Sequence, residues 1–223
     1  MARDDISVET RGRLLRAAVE VFAEKGYRNT TLREVCRQAE ANIAAVNYHF
    51  GDKERLYEAV IDYAIAVGEK KKLQELDSQH FSPETRLRQL VTEVVNHLLG
   101  ADRPTNQVLR LMSNELIEPT PSLDRMIEIA VRPFHQMLSD IVEELLGAAA
   151  TPELVRDCSL SIMAQCLYYH HSEAVVERLL HIDVHDQAAI DALVDHIMRF
   201  SLGGIQALSD SAAVAIVGRE SES

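Results

Sequence analysis

The sequence predicts an all-α protein of about nine helices. Apolar residues recur at three- and four-residue spacing along nearly the whole chain, helix caps recur at the joints, and sustained apolar/polar alternation is missing. The 223 residues are 47% hydrophobic and 26% charged, with 9 Gly and 6 Pro, which excludes collagen-like and broadly disordered chains. No stretch approaches the ~20 apolar residues that span a bilayer. The opening MARDDISVETRGR has charges where a signal peptide needs an apolar core, so a cytoplasmic protein is expected. Cys36, Cys158 and Cys166 read as reduced, buried side chains.

The elements follow in order. Segment 11–25 sets Leu14, Leu15, Ala18, Val19 and Phe22 on one face, with Thr10 as cap and Gly26 where a helix-ending glycine belongs. Thr31-Leu32-Arg33-Glu34 is a capping box and opens a second helix to about Ala39. A tight turn at Glu40-Ala41 leads to Asn42, the cap of a third short helix through Tyr48. Gly51-Asp52 break it, and a connecting helix runs from Lys53 to about residue 72. Further helices are expected at about 84–100, 105–117, 122–146, 152–180 and 187–208. Pro133 should kink or interrupt the 122–146 helix. Residues 211–223 read as a flexible tail.

Formal net charge is −12, and it is unevenly placed. Residues 1–60 hold 10 Lys+Arg and 10 acids, so the whole deficit lies beyond them. A neutral segment on an acidic body meets DNA only if its cations share a face. Residues 28–57 read as helix, turn, helix, whose second short helix fits a major groove about 12 Å wide. Ile43 and Val46 should face the small core, while Asn42, Ala44, Ala45, Asn47 and Tyr48 project outward. Asparagine reads adenine bidentately, alanine touches thymine methyls, and Tyr or His donates to phosphate. Lys53, in the first turn of the next helix, reaches a phosphate.

Residues 10–60 resemble the DNA-binding domain of TetR-family transcriptional regulators. The matching pieces are Ala17-Ala18, Phe22-Ala23-Glu24-Lys25-Gly26-Tyr27, Thr30-Thr31-Leu32-Arg33-Glu34-Val35 and Tyr48-His49-Phe50-Gly51-Asp52-Lys53-Glu54-Arg55-Leu56, in order. Asn114-Glu115-Leu116-Ile117-Glu118-Pro119, Gln165-Cys166-Leu167-Tyr168-Tyr169 and His196-Ile197 with Phe200-Ser201-Leu202-Gly203-Gly204 resemble the CecR (YbiH)-type branch. The resemblance implies a three-helix helix-turn-helix domain over 1–60 and a helical ligand-binding and dimerisation domain over 73–210. It implies a homodimeric repressor, released from a palindromic double-stranded operator by a small molecule. DNA contacts carried over by the resemblance then fall to Thr31, Arg33, Ala44, Ala45, Asn47, Tyr48, His49 and Lys53, and the outward-facing Asn42 joins them. Asn47 departs from the Leu or Tyr that relatives often carry.

Helix 152–180 has two apolar faces, one with Cys158, Ile162 and Cys166, the other with Leu160, Met163 and Leu167. One must meet the core and the other a partner. With helix 187–208, the expected dimer contacts are Cys158, Ile162, Ile197, Ser201, Gly204 and Ile205. Candidate effector residues are Met112, Glu115, Phe134, Met137, Gln165 and Tyr169. Methionines in an apolar pocket suit a hydrophobic or amphipathic molecule, and a buried Glu115 facing the cavity would favour a cation. His170-His171 and His181-Ile182-Asp183-Val184-His185 are the densest histidine groups, but the latter lies in a loop and no cysteine joins either in sequence, so no metal site is expected. Nor is a catalytic residue or cofactor: nucleophile elbow, P-loop, dinucleotide fingerprint and repeated Glu-x-x-His are missing. The alternatives are a helical enzyme or a helical interaction protein that does not bind DNA.

Overall fold

The computed structural model describes residues 2–69, 81–100 and 103–220, and among these residues every regular element is helical. The chain divides into two compact units, Met1–Lys71 with Asp102–Arg132 and Lys72–Ala101 with Pro133–Ser223. The functional boundaries expected at 60 and 73 are therefore not the packing boundaries. Segment 103–132 lies with the N-terminal helices.

In the first unit, α1 (Ala2–Asn29) bends at Gly26, whose φ of 74° strains any side chain. The buried Thr30 hydroxyl then donates to the Gly26 carbonyl at 2.8 Å. α2 (Leu32–Gln38) opens on the expected capping box: Glu34 N–H donates to Thr31 Oγ1, and Thr31 N–H donates to the Glu34 carboxylate at 3.0 Å. The Lys25 ammonium, then the Thr31 amide and hydroxyl, hold that carboxyl down to about 2. The helix closes as a Schellman motif, with Ala41 N–H on Cys36 O at 2.9 Å and Glu40 N–H on Arg37 O at 3.4 Å. α3 (Ile43–His49) is capped by Asn42, which accepts from Ala45 N–H at 2.9 Å. Gly51, at φ 90°, turns the chain into α4 (Lys53–Glu69), where Asp52 accepts from Arg55 N–H at 2.9 Å. The expected continuation of this helix to about 72 lies outside the described residues.

α6 (Arg103–Ile117) and α7 (Ser122–Met126) complete the unit. Leu14, Ala18 and Phe22 of α1, Val35 of α2, Val46 of α3, Leu56 and Val60 of α4 and Leu111 of α6 join one apolar cluster. Each large side chain in it stabilises by about 1.5–3 kcal/mol.

The second unit begins with α5 (Pro83–Leu99), capped by Ser82 with proline in its first turn. α8 (Arg132–Leu146) follows α7 through a π turn at Ile127–Val131. Pro133 has no N–H for the carbonyl four residues back, so the expected interruption takes this form. The helix expected at 152–180 is two, α9 (Pro152–His171) and α10 (Glu173–Leu180). They break at Ser172 (φ −111°, ψ 18°), whose N–H still bonds Tyr168 O at 2.9 Å. α11 (Gln187–Glu220) is helical well past 211, where a flexible tail was expected.

α5, α9 and α11 pack on one another. That packing corrects the expected dimer contacts. Cys158, Ile162, Ile197, Ser201 and Ile205 are buried inside the subunit, and of the six only Gly204 is exposed. Periodicity found the stripe, but α5 already covers it.

Glu40 sits at φ 50° in the turn between α2 and α3, a position that favours glycine. Glu40→Gly is expected to raise stability by about 0.5–1 kcal/mol, read as a higher urea midpoint at unchanged slope.

Candidate nucleic-acid interface

α3 is seven residues long, too short to persist in water unaided. Val46 is completely buried and Phe50 nearly so, four residues apart on the inward side. The outward side carries Asn42, Ala44, Asn47 and Tyr48, with Tyr48 79% exposed. His49 is half-buried, its ring 5.0 Å from that of Tyr48 and 6.3 Å from that of Phe50. Two expectations change. Ile43, expected in the core, is 48% exposed, because the inward row turns on Val46 and Phe50 and leaves the first helical position outside it. Ala45, expected outward, is half-buried against the core cluster.

The flanking residues divide in the same way. Arg33 is exposed on α2. Thr31 is exposed, but its hydroxyl is engaged with Glu34, both accepting from the backbone N–H and bonding the carboxylate at 3.0 Å. Lys53 opens α4 with its ammonium 4.4 Å from the Tyr27 ring centroid. Partial burial there lowers its pKa, and Nζ also donates to Arg28 O at 3.5 Å. The ring fixes where this charge stands.

Tyr27 belongs to a wider set of contacts in the first unit. Its ring lies 4.9 Å from that of Tyr57, which meets Phe22 edge-on at 4.9 Å. The Tyr57 hydroxyl donates to Glu115 at 2.7 Å, and burial pushes its pKa far up. Glu115 is fully buried on α6 and also accepts from Thr120 N–H and Thr120 Oγ1, both at 2.7 Å. Its neighbour Asn114 donates to Phe22 O and Ala23 O at 3.3 and 3.2 Å. α6 is thus bonded to α4 and α1, the helices that carry the two-helix reader.

Family models match at both ends of the chain. The model described as bacterial regulatory proteins, tetR family, covers residues 14–60. That for the C-terminal domain of the HTH-type transcriptional dual regulator CecR covers 83–205, more than half of the chain. The chain belongs to the TetR family of bacterial transcriptional regulators. It is 30% identical to the dual regulator CecR of Shigella flexneri over 151 residues, covering 64% of this chain and 67% of that one. It is 27% identical to the transcriptional repressor BepR of Brucella suis over 195 residues, 84% of this chain and 87% of that one. Among solved structures, AibR in complex with isovaleryl coenzyme A and operator DNA has the same fold, with TM-score 0.65, 15% identity and coverage of 85% and 96%.

The six effector candidates do not come together in one unit. Met112 and Glu115 lie in the first, Phe134, Met137, Gln165 and Tyr169 in the second. Met112 packs on the core cluster, and Glu115 is committed to its three bonds. Gln165 donates to Ser201 Oγ at 3.3 Å and Ser161 O at 3.2 Å. Phe134, Met137 and Tyr169 are half-buried. Sequence reasoning missed Tyr57, Tyr27 and Asn114 as the framework behind the reader, since their partners are up to 92 residues away.

Glu115→Ala leaves three donors without their acceptor and is expected to cost about 3 kcal/mol. Glu115→Gln should cost less than half of that. Urea denaturation of both variants checks it. Unchanged stability in Glu115→Ala would return this residue to the effector candidates.

Proposed function

We propose that this TetR-family regulator is a cytoplasmic repressor, whose homodimer sets two copies of α3 in successive major grooves of a palindromic operator and leaves when a small molecule binds. One observation supports this reading most: a large aromatic side chain, Tyr48, stands almost fully in solvent beside Asn47 and Ala44, on a helix held from behind by Val46. Among the described residues the Tyr48 ring meets only that of the neighbouring His49, edge-on, and a groove gives the rest of it a partner. BepR is a repressor by name, and AibR is seen with both an acyl coenzyme A and operator DNA.

Residues 1–60 act as the DNA-binding domain and 73–210 as the effector and dimerisation domain. Arg33, Lys53 and the half-buried His49 meet the phosphates around α3. Thr31 contributes as a helix cap, with its hydroxyl already used. The effector is hydrophobic or amphipathic and lies near Phe134, Met137, Gln165 and Tyr169. α6 is the handle on the reader, because its Glu115 and Asn114 hold α4 and α1. The ligand shifts operator affinity by its preference for one arrangement of that handle, typically ~1–3 kcal/mol.

The dimer uses the outward faces of the last helices. Leu160, Ala164 and Tyr168 are exposed at four-residue spacing on α9. Phe200, 65% exposed, joins Gly203 and Ala207 on α11. Small residues beside a large apolar one let two helices approach closely, and two copies form a four-helix contact.

Selection of bound fragments from random DNA should return a two-fold symmetric sequence. Tyr48→Ala should weaken binding to it by about tenfold or more, with the dimer intact. Lys53→Ala should weaken all sequences alike and reduce the salt slope by about 1. Unaltered gel-shift affinity in both variants would refute the assignment. Phe200→Glu should yield monomers in sedimentation and lose operator binding, whereas Arg199→Glu should remain dimeric.

A further inference from the structure

We propose that Glu173, Glu177 and His185 of the second unit form a binding site for a divalent first-row transition-metal ion, with one imidazole nitrogen and two carboxylate oxygens as ligands. Glu173 and Glu177 are four residues apart and share one face of α10. His185 comes from the connection to α11. One donor atom from each of the three lies within 4.8 Å of the others, and His185 Nε2 already stands 3.1 Å from Glu173 Oε1. A tetrahedral site with zinc–ligand bonds near 2.1 Å sets its donors roughly 3.4 Å apart. Closure therefore asks for only a small movement of two half-buried glutamates.

The imidazole is oriented from outside the cluster. His185 Nδ1 donates to the Leu99 carbonyl at the end of α5, at 2.6 Å. A ring that gives one N–H to a backbone carbonyl presents its other nitrogen as the ligand, the usual support for a metal-binding histidine. That bond, with Glu173 beside it, raises the His185 pKa, so the spot already attracts positive charge. On binding, the ion takes the lone pair of Nε2, and the proton held there goes to solvent.

An ion pair alone needs only Glu173. Bringing a second carboxylate to the same point adds repulsion that one proton does not cancel and a divalent cation does. The set is nitrogen and oxygen without sulfur, since the three cysteines are buried elsewhere. Such donors suit zinc, manganese or ferrous iron rather than cuprous copper. A bound ion would tie α10 and its loop to the end of α5, and binding only the folded chain it would stabilise it.

The test is titration of the chelator-treated full-length protein with Zn²⁺, and separately Mn²⁺, by calorimetry and thermal unfolding. One ion per chain and a higher unfolding midpoint are expected. Glu177→Gln and His185→Ala should each weaken binding by about tenfold or more and remove the shift. His196→Ala, on the exposed face of α11, should keep both. Glu177→Gln preserves size and helix propensity, so the result does not depend on His185→Ala folding well. Binding unchanged in Glu177→Gln, or no saturable binding of either ion to the parent protein, would overturn the site.

Discussion

A seven-residue helix has too few internal hydrogen bonds to hold its shape in water, so α3 exists only because Val46 and Phe50 anchor it to the cluster built by α1, α2 and α4. That anchoring uses one side and leaves the other for a partner. Asn42 caps its start, and Gly51 ends it at a φ of 90°. Tyr48 stands on that other side, 79% exposed, with the His49 ring beside it. The reader is thus an exposed surface whose geometry is set from behind, and its precision is the rigidity of that small core.

The core is in turn closed by α6, from a later part of the chain. Glu115 is a carboxylate taken fully out of water, which is tolerable because three donors surround it. A bond of 2.7 Å tolerates displacements of only a few tenths of an ångström before it weakens. Tyr57 passes that constraint to Tyr27 by ring contact, and the Tyr27 face carries the Lys53 ammonium. Position at α6 and charge at the start of α4 are linked through four side chains in contact.

What the sequence made legible was local. Thr31 and Glu34 cap each other across three residues, Asn42 caps by the same rule, and Gly26 marks a bend that its own φ requires. What stayed hidden depended on which neighbour arrives first. Two apolar stripes on α9 were visible, but only the packing of α5 and α11 assigns Cys158 and Ile162 inward and leaves Leu160 and Tyr168 outside. Ile43 looked like core by spacing, yet the buried row of α3 begins about one turn after it, at Val46. The break at Ser172 has neither glycine nor proline to announce it. In the sequence His185 groups with His181 and Asp183, while its companions in space, Glu173 and Glu177, stand twelve and eight residues earlier, on a helix that the sequence merged with its predecessor.

Charge then decides how such a protein finds one site among many. Residues 1–60 are neutral, and the rest carries the −12. Part of the reader's positive charge is already engaged, Lys25 with Glu34, Arg28 within 3.9 Å of Glu118 and Lys53 on its ring. Sequence-independent attraction grows with the number of phosphates neutralised, so it is small here, and the acidic remainder opposes it within a Debye length of ~8–10 Å. Base contacts proposed for the α3 face would not scale with net charge, and a good one discriminates by ~1–3 kcal/mol. Weak general attraction with intact local contacts raises the ratio of specific to non-specific binding at modest total affinity. On the proposed function, a modest total affinity is also what would let a coupling of ~1–3 kcal/mol empty the operator, which a tightly held, strongly basic reader would resist.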